Sequence, residues 1–253
     1  MFVEERKDFI LKKLYEDKKV YVQSLSEEMS VTAETIRRDL RDLERDGFLS
    51  KVHGGAILAK KINGELPLDV RKNMFITSKK IIANKATKYI SEGHTIYLDS
   101  STTSFEIAQE FHKFKHLKVI TNSLPIMEFL STMNNIQLIS LGGNYCSKNK
   151  SFVGKAALDS IKKYLADICF VSSTGLSEHG ILTDSNEGEA LVRQSILCNS
   201  ENKFYILDDT KFFRTSTYVI GSISDLSGIL SNSKFPNKLS KLIESNQKII
   251  IDD

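Results

Sequence analysis

Five residues near the start of the chain have the types and the spacing that recognise nucleic acid. They are Thr32, Thr35, Arg37, Arg38 and Arg41. Arginine donates paired hydrogen bonds to guanine edges and to phosphate oxygens, and threonine hydroxyls bond to either. A cluster of this kind on one helix face predicts a surface that contacts DNA.

The elements around these residues are two helices separated by a tight turn. The pattern predicts a short helix over Val22–Met29, a turn at Ser30-Val31 and a second helix that Thr32 caps with its hydroxyl. In the second helix Ile36, Leu40 and Leu43 share one buried stripe, so the threonine and arginine side chains lie off it. This layout is typical of a helix-turn-helix DNA reader, and an ordinary helical hairpin with a solvated arginine-rich face is the alternative.

The next segment favours the DNA-reading interpretation. Gly47 suits the position after a helix C-terminus, where positive φ is needed. Residues 48–52 alternate like a short strand, and Gly54-Gly55 follows as a turn. This pattern predicts a β-wing beside the second helix, with Lys51, His53 and Gly54 placed to contact the DNA backbone.

The run TAETIRRDLRDLERDGFLSKVHGGA, residues 32–56, resembles the N-terminal signature of the DeoR family of bacterial transcription regulators. That signature is a helix of the form S/T-x-x-T-I-R-R-D-L followed by a wing that ends in V-H-G-G-A. The resemblance implies a winged helix-turn-helix attached to a domain that senses a sugar phosphate.

The rest of the chain alternates short apolar runs with helical patterns. The predicted strands are Thr95–Leu98, Val119–Ile120, Gln137–Leu141, Ile168–Val171 and Phe204–Leu207, with later candidates at Tyr218–Ile220, Gly228–Leu230 and Lys248–Ile251. The predicted helices are Ser104–Phe114, Leu124–Leu130, Phe152–Tyr164 and Glu187–Cys198, preceded by one that begins at Ile76. Alternation of this kind predicts an α/β layered domain with a mostly parallel sheet.

Polar residues follow each of the five main strands. Ligands of open parallel sheets bind at the carboxyl ends of the strands, and a helix N-terminus with free amides favours an anion. The residues that we expect to bind a small anionic effector are Asp99, Ser100, Ser101, Thr102, Thr103, Asn122, Gly142, Gly143, Asp209 and Lys211. Hydroxyls and the Asn122 amide suit a sugar, and Lys211 supplies a positive charge for phosphate.

These strand ends also resemble the DeoR effector domain, which is similar to ribose-5-phosphate isomerase. The family segments D-S-G-T-T, T-N, L-G-G and D-x-[ST]-K-F correspond here to D-S-S-T-T, T-N-S, L-G-G and D-D-T-K-F. Ser101 and Phe213 stand where the family often has glycine. Glu189 and Arg193 match an acidic-then-basic pattern of the family, with an ordinary surface i,i+4 pair as the alternative.

Composition limits the class of protein. The chain has 253 residues with a formal net charge of +3, and residues 1–61 carry 13 Lys and Arg against 12 Asp and Glu, a difference of +1. Phosphate attraction must therefore be local, which favours a homodimer or homotetramer for tight DNA binding. We expect no membrane segment, signal peptide, disulfide, cofactor or metal site, and a cytoplasmic location.

The sequence thus predicts a winged helix-turn-helix domain over residues 1–56, a linker over 57–75 and an effector-binding and oligomerisation domain over 76–253. We interpret the protein as a non-enzymatic transcription regulator, a repressor of a sugar uptake or catabolism operon, whose partners are a double-stranded DNA operator and a phosphorylated sugar. One alternative is a sugar-phosphate isomerase or deaminase that carries a DNA-binding module, with Asp99, Asp209 or Glu189 as its general base. The other is a constitutive DNA-binding protein whose second domain serves only oligomerisation.

Overall fold

The stripe of Ile36, Leu40 and Leu43 is buried in a small helical unit, as its spacing predicts. In the computed structural model, which describes residues 2–58, 68–244 and 250–252, the chain divides into units spanning 1–77 and 78–253. The elements of the first unit are α1 (Val3–Asp17), β1 (Lys19–Tyr21), α2 (Val22–Met29), α3 (Ala33–Arg45), β2 (Leu49–Val52), β3 (Gly55–Leu58) and α4 (Leu68–Asn73).

The first unit is a three-helix core with a three-stranded antiparallel sheet in the order β1-β3-β2. Leu14 of α1, Leu25 of α2 and Phe48 before β2 meet in this core. Strand β1 was not predicted, because three residues are too few for a strand pattern to be recognised. It joins the hairpin only because β3 supplies a partner.

The segment predicted as a linker, residues 57–75, contains regular structure at both ends. Residues 57 and 58 belong to β3, and α4 covers Leu68–Asn73. Met74 and Phe75 are buried in the core of the first unit. Residues 59–67, in the middle of the predicted linker, lie outside the described residues.

The second unit is built on a parallel sheet. Its helices are α5 (Ile76–Thr87), which begins two residues before the division between the units, α6 (Thr102–Gln109), α7 (Leu124–Leu130), α8 (Lys155–Ile161), α9 (Glu187–Cys198) and α10 (Asn237–Glu244). Its strands are β4 (Thr95–Leu98), β5 (Leu117–Thr121), β6 (Ile136–Ser140), β7 (Asn144–Cys146), β8 (Ser151–Val153), β9 (Ala166–Val171), β10 (Gly175–Leu176), β11 (Ile181–Asp184), β12 (Ser200–Leu207), β13 (Tyr218–Ser222), β14 (Gly228–Ser231) and β15 (Ile250–Asp252). Three short 3-10 helices cover Glu110–Lys113, Asp209–Lys211 and Ile223–Asp225.

Seven strands form the main sheet in the order β15-β14-β12-β9-β4-β5-β6, and every pair is parallel. Side chains alternate between two cores. Ile96 and Leu98 of β4 pack with residues of α5, α6 and α7, whereas Tyr97 packs with residues of α8, α9 and α10. The predicted α/β fold with a mostly parallel sheet is therefore confirmed.

One local prediction was wrong at its start. The helix predicted from Phe152 begins only at Lys155, because residues 151–153 pair with β7 as a hairpin strand. Gly154 then has φ +86, which no α-helix accommodates. The strand predicted at Tyr218–Ile220 is confirmed, and it belongs to a small antiparallel sheet with β10 and β11.

Among the described residues, none of the helices is both long and apolar enough to span a bilayer.

Candidate functional sites

The turn between α2 and α3 is fixed by local hydrogen bonds. Ser30 adopts φ 53, and the Ser26 hydroxyl donates to the Val31 carbonyl at 2.7 Å. Thr32 then caps α3, since its hydroxyl accepts the Thr35 amide at 3.2 Å. The predicted cap and turn are confirmed, and together they set the angle at which α3 leaves α2.

A buried ion pair fixes α3 against α1. Nε and Nη2 of Arg6 each donate to one oxygen of the Asp39 carboxylate, and the two side chains are almost fully buried. The hydrogen bond with Asp39 raises the pKa of Arg6 above its ordinary value. Removing one partner of such a pair would leave a buried charge, so this contact holds the reading helix in one orientation.

The outer face of α3 carries the predicted DNA-contacting side chains. Arg37, Arg38 and Arg41 are exposed, and Thr35 is half-buried beside the cap. Two of these arginines are paired with Glu34, at 3.0 Å for Arg41 and 3.4 Å for Arg37. Arg38 forms no ion pair within the described part of the chain, so its guanidinium is available to a ligand.

The hairpin of β2 and β3 forms the predicted wing. Its Lys51 is tied to the end of α3, because Glu44 accepts the Lys51 amide at 2.8 Å and lies 3.5 Å from its ammonium. His53 and Gly54 are exposed at the turn, where Gly54 has φ +76. Gly55 packs so closely on β1 that an added Cβ would lie 2.0 Å from the Val20 carbonyl oxygen.

In the second unit, the carboxyl ends of β12, β9, β4, β5 and β6 are neighbours along one edge of the sheet. From β4 the chain continues outward to β5 and β6, and it returns to the other side of β4 with β9. The strand order therefore reverses between β4 and β9. Such a reversal opens a crevice beyond the strand ends, where open α/β sheets bind ligands.

Asp99, directly after β4, organises this crevice. One carboxylate oxygen accepts the Ser101 amide and the Ser104 hydroxyl, and the other accepts the Ser172 amide and Arg193 Nε, at 2.6–3.0 Å. Four bonds use all the lone pairs of a carboxylate. The side chain is completely buried, so Asp99 holds the loops together and has no lone pair left for a ligand.

Arg193 of α9 lies at the centre of three carboxylates. It contacts Asp99 at 2.9 Å, Asp184 at 2.8 Å and Glu189 at 3.7 Å, and its side chain is 7% exposed. The alternative interpretation of Glu189 and Arg193 as an ordinary surface pair is therefore wrong. Both side chains are buried because α9 packs its N-terminal turns against the strand ends.

Glu189 connects three segments of the chain. It accepts the Ser100 hydroxyl at 2.7 Å, the Asn149 amide at 3.1 Å and the Ser151 hydroxyl. Asn149 and Ser151 belong to the hairpin of β7 and β8, which the sequence did not predict. The side chains that follow β4 are thereby joined to this hairpin through one buried carboxylate.

Charges in this cluster stabilise one another. Burial raises the pKa of the Asp99 carboxyl, but the charge of Arg193 and the bonds from Ser101 and Ser104 outweigh it, so that pKa lies below its ordinary value. Burial lowers the pKa of Arg193, and the charges of Asp184, Asp99 and Glu189 reverse this and raise it. The stabilisation from Asp99 is thus present above the ordinary carboxyl pKa and is lost as pH falls through the lowered one.

The loop after β4 presents backbone donors. Ser101 caps α6 by accepting the Ser104 amide at 3.1 Å, and the hydroxyls of Ser100 and Ser104 donate to Glu189 and Asp99. These hydroxyls point into the protein network and not toward a ligand. Within the described residues the amides of Thr102 and Thr103, at the first turn of α6, have no hydrogen-bond acceptor, and such amides favour an anion.

Lys211 lies beyond the end of β12, in the 3-10 helix after Asp208. Its ammonium donates to the Ser172 hydroxyl at 2.7 Å and lies 3.9 Å from Asp208. Ser172 is the residue whose amide binds Asp99, so Lys211 lies at the β9 side of the crevice. Asp209 is half-buried in the same turn, and its amide donates to Asn232 at 2.9 Å.

Asn122 and the two glycines follow β5 and β6. Asn122 is fully buried, and its amide nitrogen donates to the Phe152 carbonyl at 3.1 Å. Its side-chain oxygen has no hydrogen-bond partner among the described residues. Gly142 has open space where a Cβ would be, whereas a Cβ at Gly143 would lie 2.5 Å from the Val153 carbonyl oxygen.

Two family models match the chain: a DeoR-like helix-turn-helix domain over residues 6–62 and a DeoR C terminal sensor domain over residues 74–233. The chain belongs to the DeoR family of transcriptional regulators. The uncharacterized HTH-type transcriptional regulator YulB of Bacillus subtilis is 34% identical over 98% of this chain and 95% of its own length.

Other DeoR-type relatives have named roles. The lactose phosphotransferase system repressor of Lactococcus lactis is 35% identical over 83% of this chain and 83% of the repressor's own length. Among solved structures, a ribose 5-phosphate isomerase A from Methanocaldococcus jannaschii is similar at 17% identity with a TM-score of 0.38, covering 53% of each chain.

In this DeoR-family chain, sequence reasoning overlooked Asp184 and Ser172 as partners in the network. No spacing along the chain connects Asp184 to Asp99, because β11 and β4 are brought together only by the tertiary fold. Ser172 is one of several hydroxyl residues after β9, and only its amide bond to Asp99 and its contact with Lys211 distinguish it. Among the described residues, no group of three His, Cys, Asp or Glu could hold a metal.

The first prediction concerns the outer face of α3. Arg38→Ala should weaken operator binding by about 1–3 kcal/mol if the guanidinium contacts a base, because a paired contact to a guanine edge is lost. A contact with phosphate alone would instead weaken binding to all sequences equally. It would also reduce, by about one unit, the slope of log affinity against log salt concentration (the salt slope). Fluorescence anisotropy at several salt concentrations distinguishes the two. Unchanged affinity and unchanged salt slope in the Arg37→Ala, Arg38→Ala double variant would contradict the assignment of this face to DNA.

The second prediction concerns the charge network in the sensor domain. Arg193→Met keeps most of the side-chain volume but leaves three buried carboxylates without their cation. The free energy of unfolding should fall by about 3–5 kcal/mol, measured by urea denaturation. Lys155→Met is the matched control, since Lys155 pairs with Asp159 at an exposed i,i+4 position and should change stability by less than about 0.5 kcal/mol. Similar losses in the two variants would refute the special role of Arg193.

Proposed function

We propose that this DeoR-family regulator is a repressor of an operon for sugar uptake or catabolism, released from its DNA operator by a phosphorylated sugar. The observation that carries the proposal is the meeting of two kinds of donor at one crevice. The amides of Thr102 and Thr103 begin α6 on one side, and the ammonium of Lys211 follows β12 on the other, contacting Ser172. Backbone donors and a compact cation together suit a phosphate group.

We propose that the side chain of Asn122 binds the sugar part of the effector. Its side-chain nitrogen is used by Phe152, which fixes the oxygen as an acceptor. A buried acceptor without a partner is unfavourable, so a ligand that donates a hydrogen bond would be stabilised there. Strands β4 and β5 are neighbours, with Leu98 opposite Thr121. Asp99 follows Leu98 and Asn122 follows Thr121, so the two residues come at adjacent strand ends. A hydroxyl donates such a bond and a fully ionised phosphate does not.

The enzyme alternative requires a carboxylate that is free to take a proton. Asp99 accepts four bonds from the protein, and Glu189 accepts bonds from Ser100, Asn149 and Ser151 and contacts Arg193. A carboxylate held in this way is a poor general base, because its lone pairs are occupied and its charge is neutralised. Asp209, in the turn after β12, remains the third candidate base. Turnover assays with aldose and ketose phosphates would separate a regulator from an isomerase.

The signal is proposed to be a shift between two arrangements of the protein, one of which binds the operator better. The ligand must favour one arrangement by its own differential affinity. Repression, as opposed to activation, is supported by the name of one relative, the lactose phosphotransferase system repressor. A protein that bound DNA constitutively would show no response of operator affinity to any sugar phosphate.

The proposal includes an assembly of two or four chains in the cytoplasm. A single winged helix contacts too little DNA for tight specific binding, and residues 1–61 carry almost no net charge. Light scattering on the full chain at micromolar concentration should give at least twice the mass of 28.6 kDa. A strict monomer with and without sugar phosphate would contradict this part of the proposal.

The effector site is tested at Lys211. Lys211→Met keeps most of the volume and deletes the charge, so binding of the phosphorylated sugar should weaken by roughly 1.5–3 kcal/mol, as expected for one charge-assisted hydrogen bond. Operator affinity without ligand should stay near that of the unmodified protein. Isothermal titration calorimetry with candidate sugar phosphates and their unphosphorylated parents measures the effect.

Lys238→Met is the control for Lys211, because Lys238 is an exposed lysine of the same unit that pairs with Glu178. It should leave effector binding unchanged. The proposed site is wrong if phosphorylated and unphosphorylated sugars bind equally well, or if Lys211→Met alters DNA affinity and leaves effector affinity intact.

A further inference from the structure

Glu34 occupies the middle of the exposed face of α3. Successive helix residues are rotated by about 100°, so Arg38, Arg41 and Arg45 lie within about 40° of Glu34 around the axis. The buried stripe that includes Ile36 lies on the opposite side. Glu34 is also the second residue of the helix, and the N-terminal residues of a recognition helix are the ones that reach base edges. A carboxylate therefore stands where the DNA bases would be read.

The contacts of Glu34 are made with arginines that we assign to DNA. One oxygen lies 3.0 Å from Arg41, the other lies 3.4 Å from Arg37, and the glutamate side chain is 66% exposed. The hydrogen bonds from Arg41 and Arg37 lower the pKa of Glu34, so it stays charged at neutral pH. These exposed pairs engage two guanidinium groups and reduce the positive charge that the face offers to phosphate.

A carboxylate at this position has a definite chemical preference. Phosphate oxygens repel it, and it cannot accept a bond from guanine O6 or N7, which are themselves acceptors. The amino group at N4 of cytosine donates in the major groove and is the usual partner of glutamate there. Sequences without such a donor would leave the carboxylate desolvated against the duplex with no partner on the DNA.

We propose that Glu34 determines the sequence specificity of the DNA interface: its carboxylate accepts a hydrogen bond from the N4 amino group of one cytosine per half-site. On other sequences it keeps Arg37 and Arg41 paired and away from the phosphates. The inference rests on the proposed assignment of the α3 face to DNA.

The test is a selection from a random-sequence duplex library with the full chain, its Glu34→Gln variant and its Glu28→Gln variant. Glu28 is a matched control, because it is an ion-paired glutamate of the same unit that contacts Lys13 and lies on α2. Both substitutions remove one negative charge. Sites selected by the unmodified protein and by Glu28→Gln should share one position at which a C·G pair is preferred. At that position Glu34→Gln should discriminate C·G from the other base pairs roughly five- to tenfold less well.

Binding to a duplex outside the selected motif gives a second readout. Glu34→Gln should bind it more tightly, with a salt slope steeper by about one unit, because arginines released from the carboxylate reach phosphate. Glu28→Gln should not steepen the slope to the same extent. Equal changes in the two variants would mean that only net charge matters, and the inference would fail.

An identical motif for the unmodified protein and Glu34→Gln, with equal discrimination at every position, would overturn the proposal. Glu34→Asp serves as a second variant that keeps the charge and shortens the reach, and it should lose discrimination without gaining affinity for other sequences. Thermal melting confirms that each variant is folded. If the Arg37→Ala, Arg38→Ala double variant retains full operator affinity, the DNA face itself is misassigned, and this result is separate from a failure of Glu34 alone.

Discussion

The contact between Asp99 and Arg193 is the interaction on which the loops at the strand ends of the second unit depend. Asp99 comes from the end of β4, Ser172 from the end of β9, and Arg193 from α9, so one carboxylate joins both sides of the point where the strand order reverses. Buried charges are costly to separate, because neither solvent nor another group replaces the lost partner. The loop after β4 therefore has few alternative positions. The first amides of α6 are consequently preorganised, so the anion that we propose to bind them would not have to order the loop.

The DNA-binding unit also contains a buried ion pair, which orients a helix. Arg6 and Asp39 are buried together and fix α3 against α1, whereas Glu34 and the outer arginines form exposed pairs that solvent weakens. The orientation of the helix is thus set by an ion pair in the interior, and the reading side chains remain free to exchange partners. A reader with these properties has a rigid backbone and an adjustable surface. In the DNA interface that we propose, the fixed helix would keep its register on the duplex while the outer side chains change partners.

Sequence patterns predicted those parts of the molecule that depend on local periodicity. The stripe of Ile36, Leu40 and Leu43, the Thr32 cap, the five main strands and the contiguity of their carboxyl ends follow from spacing and strand-end chemistry. Spacing did not predict the hairpin of β7 and β8, because its residues pair across a turn and Phe152 fits a helical pattern equally well. The burial of Glu189 and Arg193 was also missed. An i,i+4 charge pair has the same spacing on a solvated face and in a core, and only the packing of α9 against the strand ends distinguishes the two.

The two positions where this chain departs from the family's glycines have opposite physical consequences. Ser101 has φ −75, which any residue adopts, and its side chain caps α6, so serine adds a hydrogen bond without changing the path of the loop. Phe213 has φ 58, a conformation that costs a residue with a Cβ about 1–2 kcal/mol relative to glycine. It lies two residues after Lys211. The loop with the first amides of α6 is therefore held firmly, while the turn that follows Lys211 stores strain. In the effector site that we propose, the preorganised amides of α6 therefore set the position of the phosphate, and Lys211 approaches it from a separate, strained turn.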